Sequence, residues 1–107
     1  MQNRTVYHGR DFKAVMRGDH TPKFTIGFAY YSDTNTLYVA WSKPHTGEAF
    51  VKKMGYHAVN TRLDRMIYKK VTYGKNVPRM VKENINNYIT MVRKYFKEMP
   101  EQVTILL

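Results

Sequence analysis

Residues 23–31 read KFTIGFAYY and residues 36–41 read TLYVAW, with Ser32-Asp33-Thr34-Asn35 between them. In the first run Phe24, Ile26, Phe28 and Tyr30 alternate with Thr25, Gly27, Ala29 and Tyr31; in the second, Leu37, Val39 and Trp41 alternate with Tyr38 and Ala40. Successive side chains of a strand point to opposite faces, so this period of two marks half-buried strands. Two such runs around four turn-forming residues predict a β-hairpin. The second face of the first run is built from small residues.

Downstream, Pro44 ends the second strand. Thr46 offers a hydroxyl to free helix amides and Glu48 an early carboxylate for the positive helix end, so a helix is expected over 46–69. Its apolar residues do not form one stripe. Phe50, Met54 and Ala58 share a face, whereas Val59, Leu63 and Met66 lie about half a turn round. Gly55 therefore marks a bend, or the helix is covered on two sides. Tyr73-Gly74-Lys75-Asn76 reads as a turn, and Pro78 suits the start of a second helix. From there to Glu98, Val81, Ile85, Tyr88, Ile89, Val92, Tyr95 and Phe96 recur at three- and four-residue steps, opposite Arg79, Lys82, Asn86, Arg93 and Lys97. Pro100 stops this helix. The closing Val103-Thr104-Ile105-Leu106-Leu107 either adds an edge strand to the hairpin or serves association between chains.

Upstream, Val6, Tyr7, Phe12, Ala14, Val15 and Met16 are the apolar anchors of the first 20 residues, enough for a short strand or helix. The turn formers at 18–22 close that segment. The expected fold is α+β: one domain over 1–107, an antiparallel sheet of three or four strands built on a central hairpin, with two helices packed on one face.

Composition narrows the function classes. The 107 residues are 43% hydrophobic and 14% aromatic, enough to fold alone or as a small oligomer such as a homodimer. Cysteine is absent, which removes disulfides, thiolate metal sites and a cysteine nucleophile, and fits a reducing compartment. Neither a signal-peptide pattern nor an apolar run of membrane-spanning length occurs. Eighteen Lys and Arg stand against eight Asp and Glu, a formal charge of +10. Self-repulsion on that scale costs stability unless an anionic partner is met, which points to nucleic acid or an acidic protein surface.

Three constellations bear on chemistry. Arg62, Arg65 and Lys69 are spaced to project from one helix face, with Lys52, Lys53 and Lys70 on neighbouring faces and Arg79, Lys82, Arg93 and Lys97 on the second helix. Such a row can track backbone phosphate. Tyr30, Tyr31, Tyr38, Tyr56, Tyr68 and Tyr73 are interleaved with cations, as in Tyr68-Lys69-Lys70, and exposed rings beside cations hold single strands. Tyr31 and Tyr38 are the expected platforms, because they belong to the hairpin face away from Ile26, Phe28, Val39 and Trp41. Finally, His45 and Glu48 flank the expected helix start and, with His57, could form a nuclease centre. No metal-helix, phosphate-loop, dinucleotide or serine-hydrolase motif is present, so no cofactor, metal or catalytic residue is assigned.

Trp41-Ser42-Lys43-Pro44, Glu48-Ala49-Phe50-Val51-Lys52-Lys53-Met54-Gly55, Ala58 and Arg62-Leu63 together resemble a stretch in small uncharacterised accessory proteins of bacteriophages. The resemblance covers about a quarter of the chain, and Tyr56 stands where those proteins commonly carry a basic residue. It implies a phage product in the host cytoplasm, acting on host or defence machinery, and supplies no activity. The resulting expectation is a non-catalytic nucleic-acid binder. The alternatives are a protein-directed inhibitor of a host or defence nucleic-acid enzyme, as anti-CRISPR proteins are, and then a metal-dependent nuclease.

Overall fold

The hairpin forms where the alternation places it. In the computed structural model, which describes residues 2–107 and only the backbone of Gln2, strands β2 (Pro22–Tyr31) and β3 (Thr36–Ser42) pair antiparallel, with Phe28 opposite Val39 and Tyr31 opposite Thr36. The turn closes on Asn35, whose φ of 48° lies in the left-handed region that Asn tolerates better than most residues. The Asn35 side chain then ties the turn to its surroundings, accepting from the Tyr30 hydroxyl and donating to the Gln102 carbonyl.

The first segment forms both a strand and a helix. Strand β1 (Gln2–Arg10) pairs antiparallel with β2, and the five-residue helix α1 (Phe12–Met16) follows, its first turn capped by the Asp11 carboxylate. At the other end β4 (Thr104–Leu106) adds to β3, giving a sheet in the order β1-β2-β3-β4. The closing segment thus pairs within the chain. It does so parallel to β3, so the expected all-antiparallel sheet is in fact mixed. Two long helices and a return from one face of the sheet to the other lie between β3 and β4, and a crossover of that length permits parallel pairing.

The two long helices are α2 (Lys52–Lys69) and α3 (Arg79–Tyr95). They cover opposite faces of the sheet rather than one. Phe24, Ile26, Phe28, Tyr30, Leu37, Val39 and Trp41 meet Val81, Tyr88, Ile89 and Val92 of α3 in the larger core. The small face, with Ala29 and Ala40, meets Val59, Leu63, Met66 and Ile67 of α2. Small strand residues let α2 approach closely. A Cβ at Gly27 would overlap the Val59 side chain, and one at Gly55 would overlap the Thr25 hydroxyl. Gly55 is therefore a contact point and not a bend.

Helix α2 begins at Lys52, six residues later than the capping pattern predicts. Thr46 and Gly47 are instead the central residues of a tight turn, in which the Glu48 amide donates to the His45 carbonyl at 2.9 Å. Gly47 has φ 89°, which a type II turn requires at that position and a helix forbids. The true N-cap is Val51, which has no side chain to offer.

A second link holds the start of the chain to α3. Buried Asn84 accepts from the Phe12 amide at 3.0 Å and donates to the Met80 carbonyl at 2.7 Å, and the Tyr88 hydroxyl accepts from the Arg10 amide at 2.7 Å. Every buried side-chain polar atom among the described residues has a partner, as a well-determined core demands. Among the same residues no helix is long and apolar enough to cross a membrane.

Candidate nucleic-acid interface

The outer side of α2 follows from which side it buries. With Val59, Leu63, Met66 and Ile67 against the sheet, helical spacing turns Lys53, His57 and Tyr68 to solvent and sends Arg62, Arg65 and Lys69 along one flank. That flank faces the end of β3, because the Arg62 guanidinium donates to the Trp41 carbonyl. The other flank faces β1, where Arg4 donates to Asn60 at 3.1 Å and pairs with Asp64 at 2.9 Å. Asp64 is the only carboxylate side chain between Ala49 and Lys82, and it is engaged by Arg4. Lys70 closes the helix with φ 55°, and Lys69 and Lys70 are both exposed there.

The tyrosines divide differently from expectation in their surroundings. Tyr31 and Tyr38 do occupy the face away from the larger core, but that face is covered by α2. They meet edge to face at 5.8 Å and are half-buried against the smaller core. Burial raises the Tyr31 phenol above its ordinary pKa. Of the interleaved tyrosines, those exposed at the surface are Tyr68, 74% exposed, and Tyr56, 55% exposed.

Between β3 and the first turns of α2 lies a cleft of about 300 Å³. Its sides are Lys43, His45, Glu48 and Phe50 on one hand and Met54, Ala58 and Arg62 on the other, with the buried Thr25 at its floor. The turn at Gly47 shapes one wall. Next to it His8 packs edge-on to Phe50 at 5.8 Å, with Nδ1 3.4 Å from the Thr25 hydroxyl. Its pKa is lowered, first by burial and then by the charge of Lys52. His45 and Glu48 thus share the cleft, but His57 is not among its lining residues. Among the described residues no three His, Asp or Glu side chains converge as a metal site would need.

The cations of α3 lie on the far side of the sheet. Arg79 pairs with Glu83 at 2.7 Å, Lys13 reaches the same carboxylate at 3.3 Å, and Arg93 donates to the Pro100 carbonyl at 2.8 Å. Those two cations hold the Glu83 carboxyl below its usual range. Lys82 and Lys94 are exposed on α3 with Asn86, Asn87 and Thr90 between them, and Lys97, also exposed, follows the end of the helix beside Arg4. The structure thus brings together Arg62, Arg65 and Lys69, sets Lys52, Lys53 and Lys70 at the two ends of the same helix, places Arg79, Lys82 and Arg93 on the helix that covers the opposite face, and leaves Lys97 beyond the end of that helix, in a shallow pocket with Arg4.

The cleft was not legible as a site in the sequence. Its one visible signal was the run from Lys43 to Phe50, whose turn chemistry resembles a helix cap. No protein-family model, curated protein or solved structure matches this chain, so its own residues carry the functional argument.

Proposed function

We propose that this protein binds nucleic acid without catalysis, gripping backbone phosphate along the β3-facing flank of α2 through Arg62, Arg65 and Lys69, with Lys52, Lys53 and Lys70 at the helix ends. One observation carries this reading. The β3-facing flank of α2 presents Arg62, Arg65 and Lys69 with exposed Tyr68 near them on the solvent side, and the helix's single carboxylate, Asp64, is already engaged by Arg4. Phosphate neutralised by such a row releases counterions, so affinity falls steeply as salt rises. The exposed ring of Tyr68 adds a face on which a base can stack. The setting we propose, on the bacteriophage resemblance, is the cytoplasm of an infected bacterium.

Fluorescence anisotropy with single-stranded DNA, duplex DNA and RNA at low salt tests this. The expected result is saturable binding at micromolar protein that weakens linearly on a log-log plot against salt. Absence of binding to all three would overturn it.

A second reading has its own support. Met54, 69% exposed, and Val51, 46% exposed, make an apolar surface at the start of α2, next to Lys52 and Lys53 in sequence, and Met is enriched at protein interfaces. An inhibitor of a host or defence nucleic-acid enzyme would use it to cover an acidic surface, with complementary charge speeding the encounter. Capture from bacterial lysate after nuclease digestion separates the two. An acidic protein retained once nucleic acid is destroyed favours the inhibitor; complete loss favours nucleic acid.

A further inference from the structure

We propose that the cleft between β3 and the start of α2 is a socket for one unstacked nucleobase of a single strand, whose flanking phosphates lie on Lys43 and on the Arg62-Arg65-Lys69 row. This rests on the nucleic-acid reading above and deepens it.

Size is the first argument. About 300 Å³ is at the lower end of small-molecule pockets, which suits a single ring system and excludes a duplex. Chemistry is the second. Pro44, Phe50, Met54 and Ala58 give apolar walls for the faces of a flat ring. His45 and Glu48 place hydrogen-bonding groups where the edges of a base would lie, and a carboxylate accepts from an exocyclic amino group. The carboxylate of Glu48 also opposes a phosphate inside the cleft, so the neutral part of a nucleotide fits within and its charged part stays at the rim.

The rim is the third argument. Arg62 lines the cleft and also begins the basic flank of α2, so a strand tracking that flank arrives at the opening. Its guanidinium is oriented by the Trp41 carbonyl. The floor is equally fixed, since Gly55 sits against Thr25 and the turn at 45–48 is closed by its own hydrogen bond. A preformed socket loses little entropy on binding. Because a paired base cannot enter it, single strands are preferred over duplex.

The test compares three probes by anisotropy at one salt concentration: a short single strand, the abasic strand of the same length, and the matching duplex. The wild-type protein is expected to bind the base-bearing strand roughly tenfold tighter than the abasic one. Ala58→Trp, which fills the cleft from α2, should abolish that difference and leave duplex binding unchanged. His45→Ala and Glu48→Gln alter exposed side chains away from both cores, and should change the rank order among homopolymeric strands. Equal affinity for base-bearing and abasic strands would overturn the socket while leaving phosphate binding intact. Unaltered base preference in all three variants would also overturn it. Failure of the wild type to bind any probe would remove the nucleic-acid reading itself, and the socket with it.

Discussion

Asn35 and Asn84 show how single polar side chains fix this fold. Asn35 adopts a left-handed conformation and bonds both the Tyr30 hydroxyl and the Gln102 carbonyl, while its own carbonyl accepts from the Thr104 amide at 3.0 Å. Asn35→Gly keeps the backbone conformation and loses the side-chain bonds, for an expected cost of about 1 kcal/mol; Asn35→Ala adds backbone strain and should cost about 2. Asn84→Ala leaves the partly buried Phe12 amide without its acceptor, and about 1–2 kcal/mol of stability should go with it. Urea denaturation monitored by tryptophan fluorescence measures all three, since Trp41 is buried in the larger core.

Protonation acts at this scale too. His8 has a folded-state pKa below its ordinary value of 6.5, so the unfolded chain takes up that proton more readily. The contribution is present above pH 6.5 and is lost as the pH falls from there through the folded value. Asp19 and Glu83 are also held below their ordinary values, Asp19 chiefly by its bonds to Thr21 and Glu83 by Arg79 and Lys13. Their contribution is complete at neutral pH and is lost only in the acid range, from about pH 4.5 downward for Glu83 and from about pH 3.8 downward for Asp19. Denaturation midpoints should therefore decline between pH 7 and 5, and His8→Asn should flatten that decline without changing the one below about pH 4.5.

At the scale of elements, the alternation in 23–41 specified the hairpin because one strand face is fully apolar and the register cannot slip without exposing it. Helix α3 was equally legible from its sustained apolar stripe. Helix α2 was not. Thr25, Gly27, Ala29 and Ala40 read equally well as a small solvent-facing surface or as a seat for a helix, and only the packed structure reveals Val59, Leu63 and Met66 lying on them. Its start was misplaced for a local reason: Thr, Gly and Glu serve a turn as well as a helix cap, and the decision rests on the positive φ of Gly47. Gly27→Ala tests the close approach. It forces a methyl against Val59 and should cost about 1–3 kcal/mol, whereas Gly47→Ala, which meets no neighbouring atom, carries only the backbone strain of about 1–2 kcal/mol.

At the scale of the whole molecule, charge and topology act together. Placing α2 and α3 on opposite faces divides the surplus of cations into two fields, and only the α2 field forms a row with its carboxylate already paired. Net charge was readable from composition; its division was not, because it depends on which face of the sheet each helix covers. The free protein, at +10, should become more stable as salt screens its self-repulsion, even as its affinity for nucleic acid declines. Thermal melts over a salt series check the first of these opposite trends.

The most direct test of the account is the salt dependence of nucleic-acid binding for two double variants, Arg65→Glu with Lys69→Glu on α2, and Lys82→Glu with Lys94→Glu on α3. Both remove the same charge from exposed positions. The account predicts that the α2 pair weakens binding strongly and lowers the log-log salt slope by about two, and that the α3 pair leaves the slope within about half a unit of wild type. Equal loss in both variants would mean that net charge alone attracts the ligand, and would contradict a defined interface on α2.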